Sequence, residues 1–255
     1  MEHIRTERSE GVLRIAFNRP EKKNAITAPM YQGLVDALIE AQAEAAVRVV
    51  LVHGTPGAFT AGNDLHDFLA NPPRDESHPG FLFLRALKDF AKPILAAVSG
   101  PAVGIGTTML LHCDLVYAAP SARFALPFVN LALCPEAASS YLLARIAGYA
   151  RAAEILLLGE PFGAEHALEI GLVNAIVPEE KLLDAALAIA LGLARKPPAS
   201  VQATKALMRQ ALMPDIDRAM AAENRVFRER LVSAEAKEAF AAFLEKRAPD
   251  FGKHS

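Results

Sequence analysis

The chain has 255 residues, of which 52% are hydrophobic and 22% are charged, and its formal net charge is −2. This length suits one large hydrophobic core, or one core with a helical extension. The nearly neutral charge argues against a general nucleic-acid-binding protein, which needs a basic face to neutralise phosphates. No apolar run approaches the ~20 residues that cross a bilayer, so we expect no membrane interaction.

The cysteines and the N-terminal segment narrow the class further. Cys113 and Cys134 stand in no CxxC or Cys/His cluster, so we expect neither a disulfide framework nor a metal site. The first ten residues, MEHIRTERSE, lack the apolar segment of a secretory signal and the composition of a transit peptide. We therefore expect a cytoplasmic protein.

Apolar runs typical of strands covered on both faces alternate with helical spacing through the first two thirds of the chain. Helical patterns alone follow about Pro178, so the predicted class is an α/β core with a helical tail. The polar, proline-rich segment 71–80 is predicted to be a surface loop. The predicted strands are 4–8 and 12–17 (a hairpin), 49–52, 94–98, 114–118, 123–125 and 173–177. The predicted helices are 30–46, a short one from Asp64 toward Leu69, 81–90, two turns beyond Gly106, 139–147, 150–158, 164–170 with Gly171 as its C-cap, 181–195, 200–212, 216–231 and 234–246.

Three glycines, Gly100, Gly104 and Gly106, surround the predicted start of a short helix. The segment GIGTTM lacks the third glycine of a dinucleotide fingerprint, and GTPGAFTAGN lacks the Lys-Ser/Thr of a phosphate loop. The first N–H groups of a helix have no partner within it and can stabilise an oxyanion. A tight strand-to-helix connection without a catalytic role is the alternative interpretation.

Glu136 is the only charged residue between Arg123 and Arg145. A carboxyl in such an apolar setting has a raised pKa and can accept a proton and then return it. The alternative is an acid that faces the N-terminus of the following helix. His66 and His112 have no Ser or Cys at a recognisable spacing, so a nucleophilic triad is not predicted.

Six segments, in order, resemble the motifs of the crotonase superfamily, the enoyl-CoA hydratase/isomerase family. The resemblance implies an α/β fold, a crotonase (ClpP-like) spiral of ββα units over residues 1–195, with a C-terminal helical trimerisation region at 196–255. It also implies an acyl-CoA substrate, no cofactor beyond the coenzyme A of that substrate, and a homotrimer or a dimer of trimers. The segments are NRPEKKNAI (Asn18–Ile26), AFTAGNDL (Ala58–Leu65), KPILAAVSGPAVGIG (Lys92–Gly106), CDLVYA (Cys113–Ala118), LPFVNLALCPEAASS (Leu126–Ser140) and FLEKR (Phe243–Arg247).

The same resemblance implies site residues. The backbone N–H groups of Asn63 and Ile105 occupy the positions that hold the thioester carbonyl, and Glu136 occupies that of a catalytic acid/base. Phe243 and Lys246 are expected to reach the coenzyme A of this or a neighbouring subunit. The full implied set of substrate- and CoA-binding residues is Lys22, Lys23, Ala25, Ala61, Gly62, Asp64, Leu65, Gly104, Thr108, Phe128, Pro135, Phe243 and Lys246.

One departure from the family pattern decides the predicted reaction. Hydratases of the family carry two glutamates, and this chain has Thr108 and Phe128 at those positions. Glu136, in CPEAASS, resembles the single glutamate of the branch that converts 3-enoyl-CoA to 2-enoyl-CoA, although Ala137 replaces a common glycine. We therefore predict an isomerase. The alternatives are another crotonase reaction, such as hydration or thioester hydrolysis, and a non-catalytic acyl-CoA-binding or scaffold protein in which Glu136 only caps a helix.

Overall fold

The computed structural model of the chain describes residues 3–73 and 75–253. Within these residues, nine strands form two sheets. The larger sheet has the order β1-β2-β3-β4-β6-β9, and the smaller has the order β5-β7-β8. The strands are β1 Ile4–Ser9, β2 Val12–Phe17, β3 Val49–His53, β4 Ile94–Val98, β5 Pro101–Val103, β6 Leu115–Ala118, β7 Arg123–Ala125, β8 Phe162–Gly163 and β9 Ala175–Ile176.

Consecutive strands divide between the two sheets. β4 joins the larger sheet and β5 the smaller one, and β6 and β7 repeat this division. β1 and β2 pair as an antiparallel hairpin, and every later pairing in the larger sheet is parallel, as in the register Val50↔Ile94 and Leu95↔Leu115. Because the β4–β5 and β6–β7 units each add one strand to each sheet and advance in the same direction, the chain winds as a spiral, which confirms the predicted fold class.

Helices cover the sheets and form the C-terminal part of the chain. None of the helices in the described residues has the length and apolar character needed to cross a bilayer. The α-helices are α1 Ala28–Ala43, α2 Leu65–Ala70, α3 Pro79–Asp89, α4 Ile105–Thr108, α5 Ser139–Ala147, α6 Tyr149–Leu158, α7 Ala164–Glu169, α8 Leu182–Ala194, α9 Pro198–Gln210, α10 Met213–Leu231 and α11 Ala234–Glu245. Short 3-10 helices lie at Pro20–Lys22, Met109–His112, Val129–Leu131, Glu179–Lys181 and Phe251–Lys253.

Both faces of the central strands β3 and β4 are buried, which explains their continuous apolar runs. On one face, alternate strand residues join a large core with α1 and α3. On the other face, Val49, Leu51 and Leu95 pack against the small residues Ala186 and Ala190 of α8. Removal of this apolar surface from water stabilises the sheet that carries the site loops.

Most predicted elements are present, and the differences have local causes. The hairpin, β4 and α5 have nearly the predicted bounds. The two-turn helix beyond Gly106 begins earlier, at Ile105, and continues from Met109 as a 3-10 helix. The sequence did not predict β5, which lies inside the glycine-spaced segment Gly100–Gly106 that indicates a turn, or β8, which has two residues.

The C-terminal helices turn back over the core. α10 packs beside α5, and α11 packs against the 3-10 helix Val129–Leu131. The rings of Phe227 in α10 and Phe240 in α11 both contact Phe68 of α2, with centroids 6.3 and 6.1 Å apart. These aromatic contacts close the region between α2 and the C-terminal helices, where the candidate site lies. The division at residues 195 and 196 stays a prediction.

Candidate active site

The loop that carries Asn63 is held by backbone hydrogen bonds on both sides. The N–H of Ile26 donates to Gly62 O at 2.8 Å, and the N–H of Asp64 donates to Ile26 O at 2.9 Å. Thr60 bonds in the same way to β5, with its N–H 2.9 Å from Pro101 O. Among the described residues the N–H of Asn63 between these tethers has no acceptor. A rigid loop therefore presents one free backbone donor.

Gly62 allows that loop to approach β5 closely. Its φ is +84°, in the left-handed region, and a Cβ placed there would lie 2.6 Å from Val103 O. Any side chain would therefore meet the backbone that the loop must touch. This contact explains why glycine stands at position 62.

The second free donor lies at the start of α4. The N–H of Gly104 donates to Ala125 O at 2.9 Å, and the N–H groups of Thr107 and Thr108 share Gly104 O. Gly104 has φ +55° and ψ −117°, a conformation that a side chain opposes. Ile105 follows as the first helical residue, and its N–H has no acceptor in the described part of the chain.

An ion pair joins the Asn63 loop to the segment before α1. Arg19 Nη1 lies 2.7 Å from Asp64 Oδ2, and Asp64 Oδ1 also accepts from the N–H groups of His66 and Asp67, as the predicted cap of α2. Partial burial acts to raise the pKa of Asp64, but the hydrogen bonds from Arg19 and Asp67 outweigh it and the pKa is lowered. Asp64 is therefore charged and holds the residue next to the Asn63 donor.

Glu136 lies in the turn that precedes α5. Ala137 and Ala138 both have left-handed backbones, with φ +61° and +55°, so two alanines adopt a conformation that glycine tolerates better. The turn buries the Glu136 side chain and leaves its Oε1 without a hydrogen-bond partner in the described structure. A buried carboxyl oxygen of this kind is costly unless it serves a ligand.

Burial raises the pKa of the Glu136 carboxyl to about 8, and the negative charge of Glu223 adds to this effect. The nearby Thr108 hydroxyl acts in the opposite direction and offsets part of the rise in the Glu136 pKa. The Thr108 oxygen is not in hydrogen-bonding geometry with any described residue. At neutral pH the carboxyl is mostly protonated, and its conjugate base is much stronger than an exposed glutamate.

Two adjoining cavities bring the donors and the carboxyl together. A small cavity of about 30 Å³ is lined by Glu136, Asn63 and Ile105. An outer cavity of about 590 Å³ has Asn63 and Ile105 on its wall as well. The residues of the two N–H donors therefore line both the small cavity that holds the acid and the larger outer cavity.

Most predicted binding residues lie on the outer cavity, and their roles stay predictions. Thr108 is instead buried near the Glu136 carboxyl. Lys23, Pro135 and Lys246 are not among the residues that line either cavity; Lys23 and Lys246 are left-handed residues that end helical turns. The predicted residues on the outer cavity are Lys22, Ala25, Ala61, Gly62, Asp64, Leu65, Gly104, Phe128 and Phe243.

Several site residues carry no sequence signal that would have identified them. The Tyr31 hydroxyl donates to Asn63 Oδ1 at 2.6 Å, and Phe68 and Phe227 line both cavities. Each comes from an amphipathic helix, where an aromatic residue indicates core packing. Arg247 could have been found, because it lies in the FLEKR segment and lines the outer cavity.

His112 has a structural role beside the turn that carries Glu136. The Nε2 of His112 lies 2.7 Å from Ala137 O, and burial lowers the pKa of His112 to about 4. The ring is therefore neutral and holds the turn beside Glu136. No group of His, Cys, Asp or Glu in residues 3–73 and 75–253 could hold a metal ion.

Comparison with known proteins agrees with this geometry. The profile of the enoyl-CoA hydratase/isomerase family matches residues 7–254. The chain therefore belongs to the enoyl-CoA hydratase/isomerase family, within the crotonase superfamily. The structure of Pseudomonas aeruginosa OdaA is similar with a TM-score of 0.93 and 46% identity, and the alignment covers 96% of this chain and 99% of that one.

Relatives whose names give different activities have about the same sequence identity to this chain. The 2,3-dehydroadipyl-CoA hydratase of Escherichia coli K12 is 33% identical, over 98% of this chain and 99% of that protein. The enoyl-CoA delta isomerase 2 of Rattus norvegicus is 36% identical, over 93% of this chain and 62% of that longer protein. Identity at this level shows the family, and the reaction has to be argued from the site.

Proposed function

We propose that this protein is an enoyl-CoA isomerase that moves the double bond of a 3-enoyl-CoA to the 2-position. One observation carries the proposal: a single buried carboxyl with an unpartnered oxygen, Glu136, shares a cavity with Asn63 and Ile105, whose N–H groups are free. One base and one oxyanion site are what a proton shift along an acyl chain requires.

The reaction follows from this arrangement. The N–H groups of Asn63 and Ile105 donate to the thioester oxygen. Ionised Glu136 takes a proton from the α-carbon, and the electron pair left there becomes a dienolate whose negative charge the two donors stabilise. The resulting Glu136 carboxylic acid returns the proton at the γ-carbon, so the α,β double bond forms and the base is regenerated. The pKa of about 8 suits both steps, because the base is strong and its acid still donates.

Hydration is the less supported alternative. It needs a group that activates water, and Thr108 and Phe128 provide no carboxylate for this step. Glu223 is the other buried carboxylate nearby, but its oxygens already accept from Ala138 and Ser140. Thioester hydrolysis meets the same difficulty, because it also requires an activated water.

A non-catalytic role for Glu136 is also less supported. Ala138 is the N-cap of α5, and the side chain that accepts from its N–H and from the N–H of Ser140 in the first turn is that of Glu223, not of Glu136. Glu136 therefore does not satisfy the helix end. Burial of an ionisable group with a free oxygen destabilises the fold, and catalysis is a reason to retain it.

The outer cavity is proposed to take the coenzyme A of the substrate, and no other cofactor is proposed. Lys22 on its wall supplies positive charge for the CoA phosphates. Arg247, also on the wall, is held by Glu238 and Glu245 at 2.5 and 2.6 Å. A homotrimer or a dimer of trimers is proposed as the assembly, and light scattering during size-exclusion chromatography would test it.

The deciding experiment offers the purified protein a 3-enoyl-CoA and, separately, a 2-enoyl-CoA. The expected result is appearance of the conjugated thioester absorbance from the first substrate and no hydration of the second. Glu136→Gln should reduce the isomerisation rate by at least about 10³-fold, since it removes the sole base. Unchanged conjugation in Glu136→Gln contradicts the proposed role, and loss of the 2-enoyl-CoA absorbance favours the hydratase.

A further inference from the structure

Glu223, a residue of α10, lies buried against the turn that carries Glu136. It is only 7% exposed. Its Oε2 accepts from the N–H of Ala138 at 2.6 Å, and its Oε1 accepts from the N–H and hydroxyl of Ser140 at 2.9 and 2.5 Å. One carboxylate from a distant helix thus satisfies three donors within the four residues that follow the base.

The position of these donors gives the contact a specific consequence. Ala137 and Ala138 are left-handed residues between Glu136 and α5, and such a pair reverts to a commoner conformation unless its surroundings hold it. Glu223 bonds directly to Ala138, and His112 bonds to Ala137 O from the other side. The direction of the Glu136 side chain therefore depends on α10.

Glu223 is also the charged group that faces Glu136. The other titratable groups around the two carboxyls are Tyr31, His112 and Cys134, together with His78 on the wall of the small cavity. Burial raises the pKa of Tyr31 well above its ordinary value and that of Cys134 to about 11, and it lowers the pKa of His112 to about 4. Tyr31, Cys134 and His112 are therefore neutral at pH 7. The pKa of Glu223 is raised, because the effect of burial outweighs the hydrogen bonds from Ser140 and Ala138 that favour its ionised form.

We propose that Glu223 is a positioning residue for the reaction: it holds the Ala137–Ala138 turn in the conformation that aims Glu136 at the cavity, and its carboxylate places a negative charge against that turn. This role rests on the proposed function. A purely structural contact would hold the turn but would not change the proton affinity of Glu136. The test therefore needs a measurement of the protonation state of Glu136 in addition to stability and rate.

The first variant is Glu223→Gln, which keeps the size and one acceptor oxygen but removes the charge. The matched control is Glu229→Gln, which removes one exposed glutamate from the same helix, where Arg225 pairs with it. Titration of the carboxyl C=O band by infrared difference spectroscopy, with Glu136→Gln identifying the band, measures Glu136 without any turnover. We expect the Glu136 midpoint to move to lower pH by at least about half a pH unit in Glu223→Gln and to stay in place in Glu229→Gln.

The pH dependence of kcat/KM for a 3-enoyl-CoA should show the same displacement. Its plateau should fall by about 3- to 10-fold because the base is weaker, while KM changes less than about 2-fold. A lower plateau with an unmoved midpoint would mean that Glu223 is only structural, and an equal displacement in Glu229→Gln would mean a general charge effect; either result overturns the proposal.

If Glu223→Gln does not fold, the reciprocal variant tests the same coupling. Two interacting carboxyls influence each other equally, so Glu136→Gln must lower the midpoint of the Glu223 band. An unmoved Glu223 band would overturn the proposal. Because the infrared titration needs no substrate, failure of the coupling is separate from failure of the protein to isomerise 3-enoyl-CoA.

Discussion

Replacement of Glu136 by glutamine should stabilise the protein while it removes the proposed activity. The Glu136 pKa is about 8 in the folded protein, against an ordinary value of 4.5. The folded state therefore binds the proton more tightly than the unfolded state, and the free energy of unfolding falls as pH rises from about 4.5 to about 8. Glutamine at this position does not titrate, so the free energy of unfolding of the variant should not show this decrease.

The size of the effect follows from 1.36 kcal/mol for each pH unit between the two pKa values. The wild type should lose about 3 kcal/mol of stability at pH 7 and about 5 kcal/mol at pH 9 relative to a neutral side chain, and less than about 1 kcal/mol at pH 5. The buried amide of glutamine keeps unpartnered polar atoms, as the protonated acid does, so the pH-dependent difference should survive.

Urea denaturation at pH 5, 7 and 9, at one fixed protein concentration, measures the difference between the two proteins. The free energy of unfolding of Glu136→Gln should increase relative to that of the wild type as pH rises. The exposed control Glu229→Gln should show no such trend. A difference between Glu136→Gln and wild type that is constant from pH 5 to pH 9 would refute the reasoning, because it would mean that the folded and unfolded pKa values of Glu136 are alike.

Three further substitutions test the surroundings of the site. Gly62→Ala places a methyl group 2.6 Å from Val103 O and should lower kcat/KM by at least about 100-fold, since it displaces one of two oxyanion donors; a rate close to wild type would show that the Asn63 N–H is not used. Asp64→Ala removes the cap of α2 and the ion pair with Arg19 and should cost about 1–2 kcal/mol at pH 7. Because the Asp64 pKa is lowered from 3.8, this cost should be present above that pH and disappear as pH falls through the folded pKa, and urea titrations that show it undiminished in acid would contradict the assignment. Phe68 also lines a third cavity, of about 680 Å³, between α2 and the helices α10 and α11. Phe68→Leu shortens a side chain that lines this cavity and both cavities of the site and should raise kcat/KM for longer 3-enoyl chains about tenfold relative to short ones; an unchanged chain-length profile would show that Phe68 does not limit the space for the acyl chain.

Patterns confined to a few neighbouring residues were enough to predict much of this protein. The spacing of apolar residues predicted the hairpin, the buried strands and nearly all the helices. This is possible because burial of one or both faces of an element determines which of its neighbouring residues are apolar. Six ordered motifs predicted the family. They also led to Glu136, Asn63 and Ile105, which the structure places around adjoining cavities.

Tertiary structure decided how those residues behave. The motif contains Glu136, but its raised pKa depends on enclosure by several helices and on Glu223, 87 positions away in the sequence. Tyr31, Phe68 and Phe227 line the small cavity that holds Glu136, and they belong to helices whose sequence patterns indicate only core packing. Desolvation and electrostatic coupling depend on distances in space, so the sequence by itself determined where the acid stands, and only the fold decided how strong a base it can be.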